Sequence, residues 1–252
     1  MALGTVIGGS FFLGSSVAIH AAGPSVLIGF VLGGALVYYI LTALSEMTVT
    51  NPDAGSFRTF AENTFGQGVG FVTGWVYWTG MVLAMSSEAT AVSIIVRNWA
   101  PNVPIAAMGI AVIAGVTLLN LLGADKLSKL ESWLAAIKIF AIVSFIAVAV
   151  LLITGLFTGR EAIGFRQLAS EPFMPSGITG LLGSMLIVMF TYAGFEVIGF
   201  ASSEAANPQK TVPRAIRRTV VSLVGLYLIY LFLLIMLIPT AEVNENVSPI
   251  VA

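Results

Sequence analysis

Two apolar stretches of this sequence place glycines beside polar residues at their midpoints. They are residues 4–10, GTVIGGS, and residues 190–196, FTYAGFE. Glycine leaves helical backbone angles at little steric cost, and an interrupted helix exposes N–H and carbonyl groups that bind polar ligands. By the span count below, these stretches lie in the first and sixth membrane spans, at corresponding positions of two five-span halves. Carriers built from inverted repeats bind their substrates at such paired breaks, so we interpret the chain as a carrier.

The composition predicts a membrane protein built from helices. The chain is 58% hydrophobic and 9% charged, with a mean hydropathy of +0.99, which leaves too few charged groups to cover a soluble globule. Uncharged runs long enough to cross about 30 Å of hydrocarbon predict the spans. The first run holds two of them, because Gly23 and Pro24 favour a turn at its middle. The seven predicted spans are residues 3–21, 25–47, 66–97, 104–122, 131–155, 177–202 and 219–239.

The basic residues predict how the chain is oriented in the membrane. With a cytoplasmic N-terminus, the outer loops hold three basic residues, Arg97, Arg160 and Arg166. The inner loops then hold seven, Arg58, Lys126, Lys129, Lys210, Arg214, Arg217 and Arg218, which obeys the positive-inside rule. Since five spans return the chain to the opposite side, a sixth span that repeats the first runs the other way.

This orientation predicts three parts of the chain. Residues 1–155 form a first five-helix repeat, 156–176 form an outer loop, and 177–252 begin a second, inverted repeat with helices six and seven. We expect the chain to be truncated at both ends, because the second repeat stops early and Met1 almost adjoins the first break. No basic residue precedes the first apolar run, which argues against a signal peptide.

Six short motifs in the same order resemble those of the amino-acid permeases of the amino acid-polyamine-organocation superfamily. The residues that carry the resemblance are Ile7-Gly8-Gly9-Ser10-Phe11-Phe12, Ala22-Gly23-Pro24, Glu46, the Pro52 to Phe57 segment, Gly74-Trp75 with Tyr77-Trp78, and the Glu204 to Arg214 segment. Ser10 departs from the family pattern, which commonly has a second glycine there. The resemblance implies a LeuT-like five-plus-five fold with discontinuous first and sixth helices. It also implies amino-acid transport across the plasma membrane by alternating access, with proton-coupled uptake.

The first break is suited to binding a carboxylate. A helix that restarts in mid-membrane offers unpaired N–H groups and the positive end of its dipole. Gly8, Gly9 and Ser10 fit this role, and the motif that includes Ile7 is the one shared with the permeases. The alternative is that these small residues only permit close helix packing.

The second break combines a carboxylate with carbonyl groups. Inserting an ionisable side chain at the membrane centre costs roughly 2.5–3.5 kcal/mol of free energy on insertion scales. We therefore expect Glu196 to have either an interaction partner or a function. Carbonyls from Phe190 to Ala193, next to Gly194, are able to receive a substrate ammonium group. The resemblance implies that Phe190, Tyr192 and Glu196 shape or gate the pocket. The alternative is that Glu196 pairs structurally with a neighbouring helix.

Two further charges inside spans are candidates for proton coupling. Lys138 lies in the fifth span, and the resemblance places it where sodium-coupled relatives bind a cation, although snorkelling to the surface is the alternative. Glu88 in the third span either senses protons or faces the substrate, or it satisfies a nearby hydroxyl. At the cytoplasmic mouth, ion pairing would form an inner gate from the charged residues Glu46, Arg58, Glu62, Glu204 and Arg214.

Other kinds of site are not indicated. The chain has no cysteine, and it shows no metal-ligand cluster, phosphate-binding glycine loop or nucleophile-base pair, so we expect no cofactor, no metal and no enzyme activity. The net charge of −1 gives no indication of a nucleic-acid partner. The expected partners are an amino acid, protons and the lipid bilayer, and the oligomeric state stays open. The alternatives are a non-transporting fragment or regulatory protein of the same fold, and an amino-acid exchanger.

Overall fold

A computed structural model describes residues 7–50, 57–97, 99–121, 123–156, 166–196 and 208–240. Within these residues the regular structure is helical and contains no strand, as the sequence predicts. A 3₁₀ turn, Gly23–Ser25, joins the first two helices. The helices are α1 (Gly9–Ala22), α2 (Val26–Thr50), α3 (Phe57–Phe65), α4 (Gln67–Arg97), α5 (Ile105–Asn120), α6 (Ala124–Thr154), α7 (Arg166–Ser170), α8 (Gly177–Thr191) and α9 (Pro208–Leu237).

Each of the seven predicted spans overlaps a helix of the structure. Four described stretches are long and apolar enough to cross a membrane: Gly14–Thr50, Gln67–Arg97, Lys129–Thr154 and Thr211–Leu237. Gly14–Thr50 includes the 3₁₀ turn and so holds most of α1 together with α2. The helices α1, with 14 residues, and α8, with 15, are each only about 21–23 Å long at 1.5 Å per residue. Each therefore crosses only part of the roughly 30 Å of hydrocarbon.

The contacts between helices show their relative directions. A side chain added at Gly14 of α1 would touch Ile187 and Thr191 near the end of α8, whereas one added at Gly180, near the start of α8, would meet the carbonyl of Ala21. The two helices are therefore antiparallel. The helices α2 and α9 are also antiparallel, because they line two grooves that pair residues 27–32 with 228–232 and residues 34–39 with 217–228. The first and sixth spans thus run in opposite directions, and so do the second and seventh.

Five buried aromatic rings hold α1, α2, α8 and α9 together. Phe11 of α1 stacks on Tyr227 of α9, with ring centroids 4.2 Å apart, and lies 4.8 Å from Tyr230. Phe30 of α2 lies 5.7 Å from Tyr192, which follows α8, and 5.8 Å from Tyr227. Burying each ring stabilises the bundle through the apolar area removed from water and through favourable ring-ring geometry.

We call α1, α2, α8 and α9 the packed group, and α4, α5 and α6 the open group.

Candidate functional site

Helix α1 begins inside the segment that the sequence predicts to be broken. Ile7 is buried and not helical, and Gly8 has an extended backbone with φ −109° and ψ −172°. The helix starts at Gly9, with Ser10 as its second residue, and the N–H of Phe11 donates to the carbonyl of Gly8 at 3.2 Å. The first N–H groups of a helix have no acceptor four residues earlier, so they form the positive pole of α1. Residues 1–6 lie outside the described part of the chain, and with them any helix before the break.

The carboxylate of Glu88 meets this helix start. A Cβ atom built at Gly8 would lie 2.7 Å from Oε1 of Glu88 and 3.2 Å from its Oε2. Only a hydrogen atom therefore fits at Gly8 while Glu88 keeps its position. A carboxylate beside a helix N-terminus is favoured by the dipole of that helix. The structure thus places Glu88, from the third span, at the first break.

Helix α8 ends where the sequence predicts the second break. Its last residue is Thr191, and residues 192–196 form turns in which Gly194 has φ 97°, a conformation that side-chain-bearing residues rarely adopt. The N–H of Gly194 donates to Oε2 of Glu196 at 3.0 Å. One oxygen of this half-buried carboxylate therefore closes the turn at the end of α8. Residues 197–207 lie outside the described part of the chain.

The end of α8 lies beside the first half of α1. In the antiparallel pair of α1 and α8, Ala21 lies opposite Gly180 and Gly14 lies opposite Thr191 and Ile187. Gly9, where α1 begins, lies five residues before Gly14, about 7.5 Å further along the axis of α1. The positive end of α1 therefore lies beyond the last residue of α8, on the side of the turn at residues 192–196.

A cavity of about 740 Å³ adjoins the end of α8. Its wall includes Phe190, Ala193 and Glu196 of the predicted site, together with mostly apolar residues of α2, α3 and α4. Tyr77 and Ala84 of α4 line this cavity, and Glu88 follows Ala84 by one helical turn on the same face. One face of α4 therefore runs from the cavity to the contact with Gly8. The volume is within the range of small-molecule sites, roughly 300–1,000 Å³.

Tyr192 lies in the core of the packed group. Its side chain is fully buried, and its hydroxyl donates to the carbonyl of Phe30 in α2 at 2.9 Å. Sequence reasoning overlooked its neighbour Tyr227, which stacks on Phe11 and donates to the carbonyl of Thr191 in a long hydrogen bond of 3.5 Å. The sequence does contain a feature that indicates this role: Tyr227 and Tyr230 place two hydroxyl-bearing rings three residues apart in an otherwise apolar span.

Lys138, Glu46, Arg58 and Arg214 are not among the residues that line the cavity, although Met47 and Phe57, next to Glu46 and Arg58, are. Lys138 is half-buried near the middle of α6, which packs against α9. Arg58 is exposed and pairs with Glu62 one turn later in α3, at 3.5 Å between Nη2 and Oε2. Within the described residues, the exposed Glu46 and Arg214 form no ion pair, and Glu204 lies outside those residues. The predicted inner gate stays a prediction.

Comparison with known proteins gives one consistent family. The amino acid permease family model matches residues 1–252. An uncharacterized amino acid permease of Bacillus subtilis (strain 168) is 40% identical over 97% of this chain and 55% of its own length. The gamma-aminobutyric acid permease of Escherichia coli (strain K12) is 37% identical over 95% of this chain and 52% of its own length.

A third relative, the aromatic amino acid transport protein AroP of Salmonella typhimurium (strain SL1344), is 34% identical over 100% of this chain and 55% of its own length. The chain spans about half the length of these relatives. All three carry the names of transport proteins. The family model and the 40% identity across nearly the whole chain show the same relationship that the six motifs indicate. This multi-pass membrane protein belongs to the amino acid permease family.

Proposed function

We propose that the protein moves amino acids across the plasma membrane as a secondary active transporter, with uptake coupled to protons. The N-terminus is cytoplasmic, and the fold is LeuT-like, with a first repeat at 1–155, an outer loop at 156–176 and the start of an inverted repeat at 177–252. Family membership supports this proposal, and so do the opposite directions of α1 and α8 and of α2 and α9. The helices of the packed group rock against the open group, which exposes the site to one side at a time.

One observation supports the proposal: α1 begins at Gly9 and α8 ends at Thr191 in an antiparallel pair of helices, and the turn that follows α8 lines a cavity. The N–H groups at Gly8, Gly9 and Ser10 bind the substrate carboxylate, because they form the positive end of a helix. Carbonyl groups between Phe190 and Ala193 receive the ammonium group. The two opposite charges of an amino acid are thus bound by opposite helix ends.

Glu88 couples substrate binding to a proton in this scheme. Its carboxylate lies against Gly8, where the substrate carboxylate is bound. The Glu88 carboxylate and the substrate carboxylate would therefore occupy the same helix end, which links substrate binding to the charge carried at this site. Lys138 of the fifth span is a second coupling group, and Arg58, Glu46, Glu204 and Arg214 close the inner mouth.

The substrate side chain faces the apolar cavity. Phe190 and Glu196 form part of its wall, and most of the remaining lining is aliphatic or aromatic. The names of the relatives include gamma-aminobutyric acid and aromatic amino acids, and both substrates carry an amine and a carboxylate. We therefore assign the amino-acid class rather than one member of it.

Uptake into proteoliposomes tests this function. The purified protein is reconstituted and given a panel of labelled amino acids, with and without an inward proton gradient. At least one amino acid should accumulate, and the gradient should stimulate its uptake. Uptake that requires an internal amino acid and ignores the gradient would replace symport with exchange. Failure to transport any amino acid would contradict the proposal.

A further inference from the structure

An open groove runs along the contact between α2 and α9, on the face of the packed group away from the cavity. Its volume is about 500 Å³, and we call it the α2/α9 groove. Its apolar wall is formed by Gly34 and Ala35 of α2 and by Val220, Val221, Val224, Gly225 and Leu228 of α9. Gly34 lets α2 pack closely against Val224, whereas Gly225 leaves the surface recessed, because a Cβ atom built there meets nothing within 4 Å.

One end of the groove is basic and hydroxyl-bearing. Arg217 lines it, together with Tyr38 and Tyr39 of α2, whose rings lie 6.0 Å apart. Arg217 is exposed, and within the described residues neither it nor the neighbouring Arg214 and Arg218 forms an ion pair. The groove lining includes no acidic residue. A cation and two phenols with no protein anion beside them are complementary to a phosphate group.

The position of this basic end matches the edge of the hydrocarbon. The uncharged run of α9 begins at Thr219, directly after Arg218, so Arg217 lies at the charged end of the apolar part of α9, from which its long side chain can extend towards the headgroups. From Arg217 to Leu228, the last lining residue, α9 rises about 16 Å at 1.5 Å per residue. This length corresponds to one leaflet, half of the roughly 30 Å hydrocarbon thickness.

A second groove on the same pair of helices shows what the basic end adds. It has a volume of about 530 Å³, and the residues that line it are all apolar: Leu27, Ile28, Val31 and Leu32 of α2 with Leu228, Ile229 and Phe232 of α9. Such a surface accepts any acyl chain and cannot select a headgroup. Selectivity for a negative headgroup therefore belongs to the end that holds Arg217.

We propose that the α2/α9 groove binds one anionic phospholipid. The phosphate contacts Arg217 and the hydroxyls of Tyr38 and Tyr39, and an acyl chain lies along Ala35, Val221 and Gly225. This site is separate from the amino-acid site and does not depend on transport.

The headgroup contact is tested by native mass spectrometry of the detergent-solubilised protein, titrated with phosphatidylglycerol or with phosphatidylcholine of the same acyl chains. The wild type should retain one phosphatidylglycerol in preference to phosphatidylcholine. Arg217→Gln should reduce phosphatidylglycerol retention about fivefold, as expected for losing one basic contact at a membrane surface. Arg218→Gln is the matched control, because it removes the same charge one residue away and outside the groove lining. Equal losses in the two variants, or no preference in the wild type, would overturn the proposal in favour of unspecific attraction.

The acyl-chain contact is tested by filling the groove. Gly225→Leu adds a side chain to open space within it, and Gly115→Leu adds the same side chain to open space on α5, outside it. Only Gly225→Leu should lower phosphatidylglycerol retention, with the melting temperature in detergent unchanged. Unchanged retention would overturn the proposal. A lower melting temperature in Gly225→Leu alone would also overturn it, because it would show that protein and not lipid fills the groove.

Discussion

The packed and open groups are both apolar, yet they differ sharply in burial. In the most apolar part of Thr211–Leu237, a stretch of α9, 50% of the residues are buried inside the protein. In the most apolar part of Lys129–Thr154, a stretch of α6, only 11% are buried. The α6 stretch is nevertheless the more apolar of the two. In a membrane, then, apolarity does not decide which helices pack together, because lipid tails are as apolar as leucine side chains.

Small residues and hydroxyl-bearing rings distinguish the packed group. A Cβ atom at Gly33 of α2 would lie 3.0 Å from Val188 and 3.2 Å from the ring of Tyr192, so glycine permits the close approach of α8. The hydroxyl of Tyr192 then reaches the backbone of α2. The candidate site lies where the packed group meets α4 of the open group, through the contact between Gly8 and Glu88.

The largest effect is expected from Gly8→Val, which breaks this contact between the groups. The new side chain displaces the Glu88 carboxylate, because its Cβ alone would lie 2.7 Å from Oε1. The displaced group is the mobile end of the Glu88 side chain, so we expect the fold to persist while Glu88 leaves the start of α1. An interaction on the scale of a hydrogen bond to a charged group, about 1.5–3 kcal/mol, is then lost, so amino-acid uptake by proteoliposomes should fall about 10- to 150-fold. Gly183→Val is the control, because its Cβ meets open space on α8. Normal uptake by Gly8→Val would remove the first break from the site.

Glu88→Gln tests the same contact without changing its size. Glutamine imitates the protonated carboxyl, so substrate binding should persist while stimulation by a proton gradient is lost. We expect gradient-driven uptake to fall about tenfold or more, the scale of losing a hydrogen bond to a charged group. Glu131→Gln on the exposed start of α6 provides the comparison. An unchanged gradient response in Glu88→Gln would exclude Glu88 from coupling.

Lys138→Ala tests whether the open group contributes to proton coupling. Lys138 is half-buried near the middle of α6, so a change of conformation during transport would alter the surroundings of its charge. We expect the pH dependence of uptake to flatten by a few-fold, with little change in substrate binding. The control is Lys129→Ala, at an exposed position of the same helix. A pH profile identical to that of the wild type would limit coupling to the contact at Gly8.

The sequence predicted the helices, and the points where α1 begins and α8 ends, from local information. Uncharged runs locate the spans, and glycines beside polar residues locate the start of α1 and the end of α8. The meeting of Gly8 with Glu88 was not predictable in this way, because it joins residues 80 positions apart and depends on the rotation of α4 about its axis. The same is true of Tyr192, whose hydroxyl is directed to Phe30 by the glycines of α2.

Tyr192→Phe separates a structural role from a binding role within the packed group. It removes the hydrogen bond to Phe30, so the free energy of unfolding should fall by about 1 kcal/mol. If the Tyr192 hydroxyl only stabilises the fold and does not contact the substrate, the KM for uptake should stay the same. Thermal unfolding in detergent and uptake kinetics measure the two effects. Thr117→Val is the control, because it removes an exposed hydroxyl that donates within its own helix, α5. A raised KM with unchanged stability would instead place the hydroxyl against the substrate.

The smallest effect is expected from Arg58→Ala, at the inner mouth. Arg58 is 61% exposed and its pair with Glu62 spans 3.5 Å, a geometry in which water screens most of the attraction. Stability should change by less than about 0.5 kcal/mol, and uptake should stay within about twofold. A double-mutant cycle with Glu62→Ala isolates the pair energy. A large loss of uptake without a matching pair energy would show that Arg58 engages a different acid, such as Glu46, when the carrier changes conformation. The inner gate would then form only in that other conformation. In the conformation described here, Arg58 would pair with Glu62 instead.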